Sequence, residues 1–466
     1  MKKIAFYSIL LIIVLASCNK DIINKDKNAK LKFSSSIITF DTIFTGVSSI
    51  TQRLMIYNPY NTNLITDIFL LGDKNSYFSI NVNGVSTTKL ENVEVPAKDS
   101  IFIFIKTILN PNQQNTPLLI TDTILFFTNG NKQTVELVAY GQDAHFIIAD
   151  RNIGNLKYKI VAQEGEHTTW TNEKPYVIYG YAVVDSVGKL TIEPGTKIYV
   201  HKKGGLWVYK GGCLHVNGTI DNPVVFQGDR MEDFFQDDYE QWDRIWINEG
   251  TQDNIINYAI IKNAFIGIQA EILEKDMGNK LILSNSIIKK SAGMGFLGKN
   301  YKVEDYNNII SDCGQHCVAL ILGGNYQFTN NTIYNFYKFD SRATSSVFFS
   351  NYYILNNVMY ISDFQCNFTN NIVWGNNKRE ISFSYDKNAD FKPSISYCLL
   401  KSDTNYPNYF SSIIFNKNPL FENAAEDDFQ IQSTSPCKGA GKAISSILTD
   451  IKGNTRNNPP SIGAYE

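Results

Sequence analysis

One short unit narrows what this chain can fold into more than any other feature: Asn, any residue, then Ile or Val, returning at near-constant spacing. It stands at Asn285-Ser-Ile287, Asn307-Asn-Ile309, Asn331-Thr-Ile333, Asn356-Asn-Val358 and Asn370-Asn-Ile372, with steps of 22, 24, 25 and 14 between the leading asparagines. Two longer stretches also recur, Phe328-Thr-Asn-Asn331 as Phe368-Thr-Asn-Asn371 and Ile256-Asn-Tyr-Ala-Ile-Ile-Lys262 as Ile395-Ser-Tyr-Cys-Leu-Leu-Lys401. Upstream, Leu190–Thr196, Leu206–Gly212, Leu214–Thr219 and Pro223–Gln227 each read as a short strand ended by Gly, Asn or Pro. No stretch is long enough to be a crossover helix. Parallel strands without crossover helices, at this period, leave a chain wound as a parallel β-helix. An apolar residue at one point of every coil then stacks on its equivalent about 4.8 Å away. The neighbouring Asn sits at the bend, where it tolerates left-handed backbone and its amide can bond to the next coil's Asn. Steps of 22 to 25 fit one coil each; the step of 14 places one of the last two units on a different face. Tyr176 to about Leu400 amounts to about nine coils, a rod of about 45 Å.

Composition agrees. Asn, Thr, Ser, Tyr and Ile are prominent and charged residues are only 19%, which suits β-structure with many turns rather than helices. The balance of 43 Lys+Arg against 45 Asp+Glu excludes a polybasic nucleic-acid binder, which needs surplus cations to displace counterions. A hydrophobic fraction of 43% is too high for a disordered chain. Seven cysteines over this length do not make a disulfide scaffold.

The amino terminus carries an address. Lys2 and Lys3 precede an apolar run, Ile4 to Leu15, too short to span a bilayer and fit for a signal peptide. It closes in Leu15-Ala16-Ser17-Cys18, which resembles the bacterial lipobox, where the Cys is lipidated and becomes the new amino terminus. Residues 19–30 read as a charged flexible tether; Lys20-Asp21 and Lys25-Asp26-Lys27 lie where surface-export signals of Bacteroidota lipoproteins sit. Residues 31–145 alternate with period two. Ser100–Lys106, Thr121–Phe127 and Gln133–Tyr140 are strand signals, and Asn129-Gly130 between the last two is a hairpin signal. Further strands are expected at Gln52–Tyr57 and Ile65–Leu71. Strands recurring every ten or so residues suggest an immunoglobulin-like sandwich, and Phe40-Asp41-Thr42, Asn58 and Ala139-Tyr140-Gly141 resemble modules of the abnormal-spindle/hydin type.

Residues 146–175 are expected to be a linker or amino-terminal cap, 176–415 the β-helix, and 416–466 a capping segment that protects open strand edges. The closing stretch, with Asn418-Pro-Leu-Phe421, Ser433-Thr-Ser-Pro-Cys437, Gly439-Ala-Gly441, Arg456 and Ile462-Gly-Ala-Tyr-Glu466, resembles the ending of right-handed β-helix proteins of the pectate-lyase-like superfamily in Bacteroidota. Many of these are lipoproteins of parallel β-helix repeat or choice-of-anchor type. The resemblance implies an all-β fold, a right-handed parallel β-helix behind an immunoglobulin-like β-sandwich. The chain departs from it in carrying Lys438-Gly439 where such endings usually have Ile-Asp, which favours a plain capping role.

Enzymes of that superfamily act on acidic polysaccharides with clustered carboxylates and Ca²⁺, or with paired Asp residues. The coil region shows only isolated carboxylates: Glu304-Asp305, Asp312, Asp340, Asp363 and Glu380. The densest acidic cluster is Met231–Asp243, where Glu232, Asp233, Asp237, Asp238, Glu240 and Asp243 alternate with Phe234, Phe235, Tyr239 and Trp242. Its aromatics suit stacking on sugar rings while the carboxylates hold hydroxyls; alternatively it is a solvated insertion pinned to the rod by those rings. Glu232, Asp233, Asp237, Asp238, Tyr239 and Trp242 are therefore the candidate ligand-binding residues, and Cys18 the lipidation site. Cys313-Gly-Gln-His-Cys317 lacks the second pair a zinc site needs and reads as core filling. His201 and His215 read as packed or surface residues, and Trp207, Trp246, Trp374, Tyr352 and Tyr353 either line a glycan groove or stack within the rod. No catalytic residue, metal or cofactor is expected. The chain reads as a lipid-anchored outer-membrane protein binding polysaccharide or another surface partner, with no nucleic acid and no catalysis. The rival is a polysaccharide lyase or hydrolase built on Glu232–Asp243 with Arg230 or Arg244; a purely structural or adhesion role is the third.

Overall fold

The computed structural model describes residues 22–44, 49–107, 118–231, 235, 237–274, 276–337 and 342–466. It divides into two compact units, Met1–Asp143 and Ala144–Glu466.

In the first unit two five-stranded sheets face one core. One orders Lys32–Phe33, Gln52–Tyr57, Ser100–Thr107, Phe78–Val82 and Val85–Thr87; the other orders Ile37–Phe44, Asn131–Gln142, Leu118–Thr128, Leu64–Leu70 and Lys89–Val95. Alternate residues of each strand point inward, so Leu54 and Ile103 of one sheet share a cluster with Ile68, Ile124 and Leu137 of the other. The expected hairpin is present: Thr128 pairs with Asn131 across Asn129 and Gly130, both at positive φ. The same turn does a second job. Asn129 Nδ2 donates to the carbonyl of Asn24 at 2.8 Å, and Asn131 Nδ2 to that of Ala29 at 3.0 Å. From Ile22 onward the expected tether is thus bound to the sheets, and Ala29 is in the core.

The second unit is three long sheets visited in turn, once per coil. The first has eleven strands from His145–Ile148 to Ile414–Phe415; the second has ten, from Arg151–Ile153 to Ile381–Ser384; the third has ten, from His167–Trp170 to Phe410–Ser411. The Arg151–Ile153 strand pairs antiparallel with Leu156–Ala162; the strands that follow stack parallel, as from Tyr158↔Tyr181 onward. This is a parallel β-helix. Its interior runs as continuous columns, of which Ile198, Phe226, Ile261, Ile288, Ile310, Ile333, Val373 and Leu400 form one, each fully buried. Strands within 146–175 open all three sheets, so that segment is the first coil rather than a linker.

Of the expected bend asparagines, Asn285, Asn307 and Asn370 stand at the bend, while one unit uses Asn330 rather than Asn331, and the interior apolar residue follows the bend by three positions rather than two. The residues at the bend are Asn285, Asn307, Asn330 and Asn370, all at positive φ, and Asn307 Nδ2 donates to Asn285 Oδ1 at 3.1 Å while Asn370 Nδ2 donates to Asn330 Oδ1 at 2.9 Å. Ile287 therefore pairs with Ile309, and Ile309 with Thr332, all pointing outward, and only Ile333 of the expected trio faces the interior. A second asparagine row lies just inside. Ser286, Asn308 and Asn331 each donate a backbone N–H to the side-chain oxygen of the next member, Asn308, Asn331 and Asn371, at 2.7, 2.7 and 2.8 Å. Asn308 Nδ2 also donates to the Leu283 carbonyl at 2.9 Å. Asn308→Ala is expected to orphan two buried backbone groups and to lower unfolding free energy by about 1–3 kcal/mol, read by urea denaturation; an unchanged midpoint would refute the ladder's role. The odd unit at Asn356-Asn357 is a hairpin tip, both residues at positive φ, joining Tyr352–Leu355 to Val358–Ile361 outside the coil.

The closing segment runs back along the outer flank of the first sheet. Phe429, Ile451 and Ala464 bury Ile309, and Cys437 with Ile462 bury Ile372 and Leu399. Asn370 Nδ2 donates to the Lys442 carbonyl at 2.7 Å, Ala464 N to Thr332 Oγ1 at 3.0 Å, and Arg456 Nη2 to Asn307 Oδ1 at 2.8 Å. The physical reason is the outward apolar column, which needs a cover.

Candidate functional site

The acidic segment leaves the coil before the strand Trp242–Ile247 of the second sheet. Cys18, Glu232 and Asp233 lie outside the described residues. Asp237 pairs with Lys290, whose ammonium holds its carboxyl below the usual range. Asp238 offers its backbone carbonyl to Asn263 Nδ2 at 2.7 Å. Tyr239 packs edge-on against Tyr337 at 5.1 Å, and burial raises its hydroxyl's pKa. Trp242 is 1% exposed and in the rod's interior, its Nε1 donating to the Lys262 carbonyl at 2.8 Å. Its ring is a core residue and no sugar platform, because strand alternation turns it inward. The described part of the segment thus resembles the pinned insertion more than a convergent carboxylate site.

What the segment does is wall a groove. Where it rejoins the second sheet, Asp243 and Arg244 face outward. Arg244 Nε donates to Asp243 Oδ1 at 2.9 Å, a second contact reaches Gln269, and its guanidinium lies 5.9 Å from the Phe265 ring centre. Tyr181, two coils back, donates its hydroxyl to Asp243 past Gly205; burial and that carboxylate together raise the phenol's pKa and keep it a donor. Arg244, Asp243, Glu240, Phe265, Lys202 and Lys203 line a cavity of about 290 Å³, and Trp242, buried as it is, forms part of its wall. A neighbouring cavity of about 470 Å³ shares Lys202 and Lys203 and adds Lys157, Tyr179, Tyr181 and His201. Four cations therefore face two carboxylates, and one carboxylate is already held by Arg244 and Tyr181. Lys202 and Lys203 are exposed and make no ion pair among the described residues. Such a surface attracts anions, with Phe265 and Tyr179 supplying ring faces.

Other expected residues serve packing. Trp207 and Trp246 stack on each other at 4.7 Å and 11°, their Nε1 atoms bonded to Asn248 Oδ1 and Glu271 Oε1, both at 2.7 Å. Each spends a face on the other. Trp374 packs beneath the closing segment. His201 shares 2.7 Å with Asp229, whereas His215 lies in a strand of the third sheet. Cys313 and Cys317 are fully buried free thiols, and burial raises the Cys317 pKa well above its ordinary value. His316 points elsewhere, 2.6 Å from the Ser345 carbonyl and stacked on Phe348, and burial drives its pKa down to about 4. No group of three metal-ligating side chains occurs among the described residues.

Sequence reasoning missed Lys202, Lys203 and Phe265. A lysine pair in a turn carries no signal of its own; its partners arrive one and two coils later in the chain.

Among solved structures, the chain is similar to a family 123 glycoside hydrolase from Clostridium perfringens (7% identity, TM-score 0.20, covering 25% of this chain and 28% of that one). It is also similar to a protein of unknown function from Porphyromonas gingivalis W83 (9%, 0.19, 28% and 57%) and to an alkylpurine DNA glycosylase from Pseudomonas fluorescens (12%, 0.16, 25% and 31%). The chain spans less than two thirds of each, and scores this low carry no argument. No curated protein matches. Residues 162–237, the early coils and the start of the acidic segment, match the family model of the pectate-lyase-like beta helix domain.

Proposed function

We propose that this is a cell-envelope protein, held in the outer membrane by lipid on Cys18, in which an immunoglobulin-like stalk carries a right-handed β-helix that binds an anionic polysaccharide without catalysis. The observation that carries the binding reading is the groove of Lys202, Lys203, Arg244 and Phe265 on the early coils, within and just beyond the stretch that matches the pectate-lyase-like domain. Lysines without an ion pair among the described residues, set beside ring faces, suit a chain of carboxylated sugars, with cations on the carboxylates and rings on the C–H faces. A rod of flat parallel strands gives such a polymer a long track. The acidic segment takes the role of groove wall, with Glu240 and Asp243 positioned to accept sugar hydroxyls.

Two measurements test this. Lys202→Glu with Lys203→Glu is expected to weaken binding to polygalacturonate at least about tenfold, since charged contacts contribute about 1.5–3 kcal/mol each; unchanged binding removes the groove from consideration. Cys18→Ala is expected to move the protein from the membrane to the soluble fraction, and retention in the membrane fraction would refute the anchor.

One observation favours a catalytic reading: burial, with Lys289 and Lys290 alongside, lowers the Lys262 pKa, as proton abstraction by an amine requires. Growth of absorbance at 235 nm on polygalacturonate, lost in Lys262→Met, would replace binding by lyase chemistry.

A further inference from the structure

A second large cavity is not on the β-helix. It lies in the amino-terminal unit, on the outer face of the sheet that contains Ser100–Thr107, and measures about 860 Å³. Strand register fixes what this face presents, because residues directly opposite on antiparallel strands share a face. Phe104 stands opposite Arg53 on one side and Asn81 on the other, and Asn81 stands opposite Ser86. The next row pairs Lys106 with Ser79. Lys74, in the turn Asp73–Asn75, and Thr87 complete the wall.

Three properties of this cleft point one way. Its size falls within the range of ligand pockets, about 300–1,000 Å³. Phe104 is 38% exposed at its centre, an apolar ring left in water on a sheet whose other face is fully packed. Lys74 and Lys106 are exposed and have no ion-pair partner among the described residues, whereas the cleft's one carboxylate, Asp73, is engaged by the Thr88 hydroxyl. Short hydroxyl and amide side chains, Ser79, Asn81, Ser86 and Thr87, occupy the rest. Asn81 Nδ2 bonds Ser86 Oγ at 3.0 Å, which fixes both in place with hydroxyl capacity left over.

We infer that the amino-terminal unit carries its own cleft for an anionic saccharide, with Phe104 under the sugar's C–H face, the hydroxyl side chains on its hydroxyls, and Lys74 and Lys106 on its acidic group. This cleft is separate from the β-helix groove and shares with that proposal only the class of ligand. An acidic peptide fits less well. Adding a strand needs an unbroken row of backbone groups, and the edge strand here, Val85–Thr87, is three residues long, with Thr87 Oγ1 turned back to the Lys89 carbonyl at 2.6 Å.

The test is isothermal titration of the full chain in detergent with hexagalacturonate, comparing wild type, Phe104→Ala/Lys106→Glu and Lys202→Glu/Lys203→Glu. Both substituted pairs are exposed, so folding is retained; Lys74→Glu alone repeats the measurement with a single change. Binding stoichiometry is expected to fall by about half in either double variant and to vanish when the two are combined. If Lys202→Glu/Lys203→Glu alone abolishes all binding, the amino-terminal cleft is overturned and the groove stands. If Phe104→Ala/Lys106→Glu alone abolishes it, the groove falls and the cleft stands. If poly-glutamate displaces hexagalacturonate from the cleft at equal concentration, charge alone is being read and the saccharide assignment is overturned.

Discussion

Replacing Arg342 with methionine is expected to destabilise the β-helix by about 3–5 kcal/mol, the usual penalty for leaving a buried charge unpaired. Arg342 and Glu380 have fully buried side chains, joined at 2.6 Å where the chain passes between the first and second sheets. Glu380 also accepts from Ser346 N at 3.0 Å, Ser346 Oγ at 2.6 Å and Asn377 N at 2.7 Å, so its carboxylate is fully enclosed by donors. Arg342 reaches the Asn335 carbonyl and Asn376 Oδ1 as well, which ties two successive coil connections to one guanidinium. Methionine keeps the volume and removes the charge. Pairing Arg342→Met with Glu380→Gln is expected to recover part of the loss, because no charge then remains to be desolvated while the amide oxygen still accepts from Ser346 and Asn377. Urea denaturation of the three chains checks both statements. If the double variant is as unstable as the single, the cost comes from packing and the account is wrong.

The second large effect has the opposite sign. Asp305 lies in the third sheet with its carboxyl in the rod's interior, and neither oxygen has a hydrogen-bond partner among the described residues. Burial pushes its pKa up to about 8; the Asn308 and Asn331 side chains pull weakly the other way. With the folded value above the unfolded one, near 3.9, the acid is harmless while protonated: stability is fully present below about pH 4 and is lost as pH rises through 8. At pH 7 the cost is about 4 kcal/mol. Asp305→Asn is therefore expected to raise stability at pH 7–8 by an amount of that order and to leave it nearly unchanged at pH 4. Thermal unfolding at both pH values measures the difference, and equal gains at the two would show that ionisation is not the cause.

These two acids also show where sequence reading stops. Asp305 and Glu380 look alike in the sequence, isolated carboxylates on a polar rod; only coil stacking places one among apolar side chains and the other against Arg342. The β-helix itself was legible because its interior column repeats once per coil, and Phe328-Thr-Asn-Asn331 aligns with Phe368-Thr-Asn-Asn371 in the structure as it does in the sequence. Phase was harder. In Asn307-Asn308 and Asn370-Asn371 two adjacent asparagines have different jobs, one at the bend and one in the inner row, and composition cannot say which is which. Ile309 and Ile372 misled for a related reason. Both are as buried as interior residues, yet what buries them is the chain's last fifty residues rather than the coil. The groove residues Lys202 and Lys203 were silent until Arg244 and Phe265 came to lie beside them.

That flank cover has a consequence for biogenesis. Arg456 closes on Asn307 across a separation of 149 residues. As the polypeptide emerges amino end first, each turn can settle on its predecessor at once. The seam beside Ile309, Ile372 and Leu399 nevertheless stays wet until the closing segment has been made. A nascent rod is thus complete in cross-section yet sticky along one side, and a product truncated by a few dozen residues stays that way. Exposed apolar surface of this kind is what makes a folding intermediate prone to aggregate.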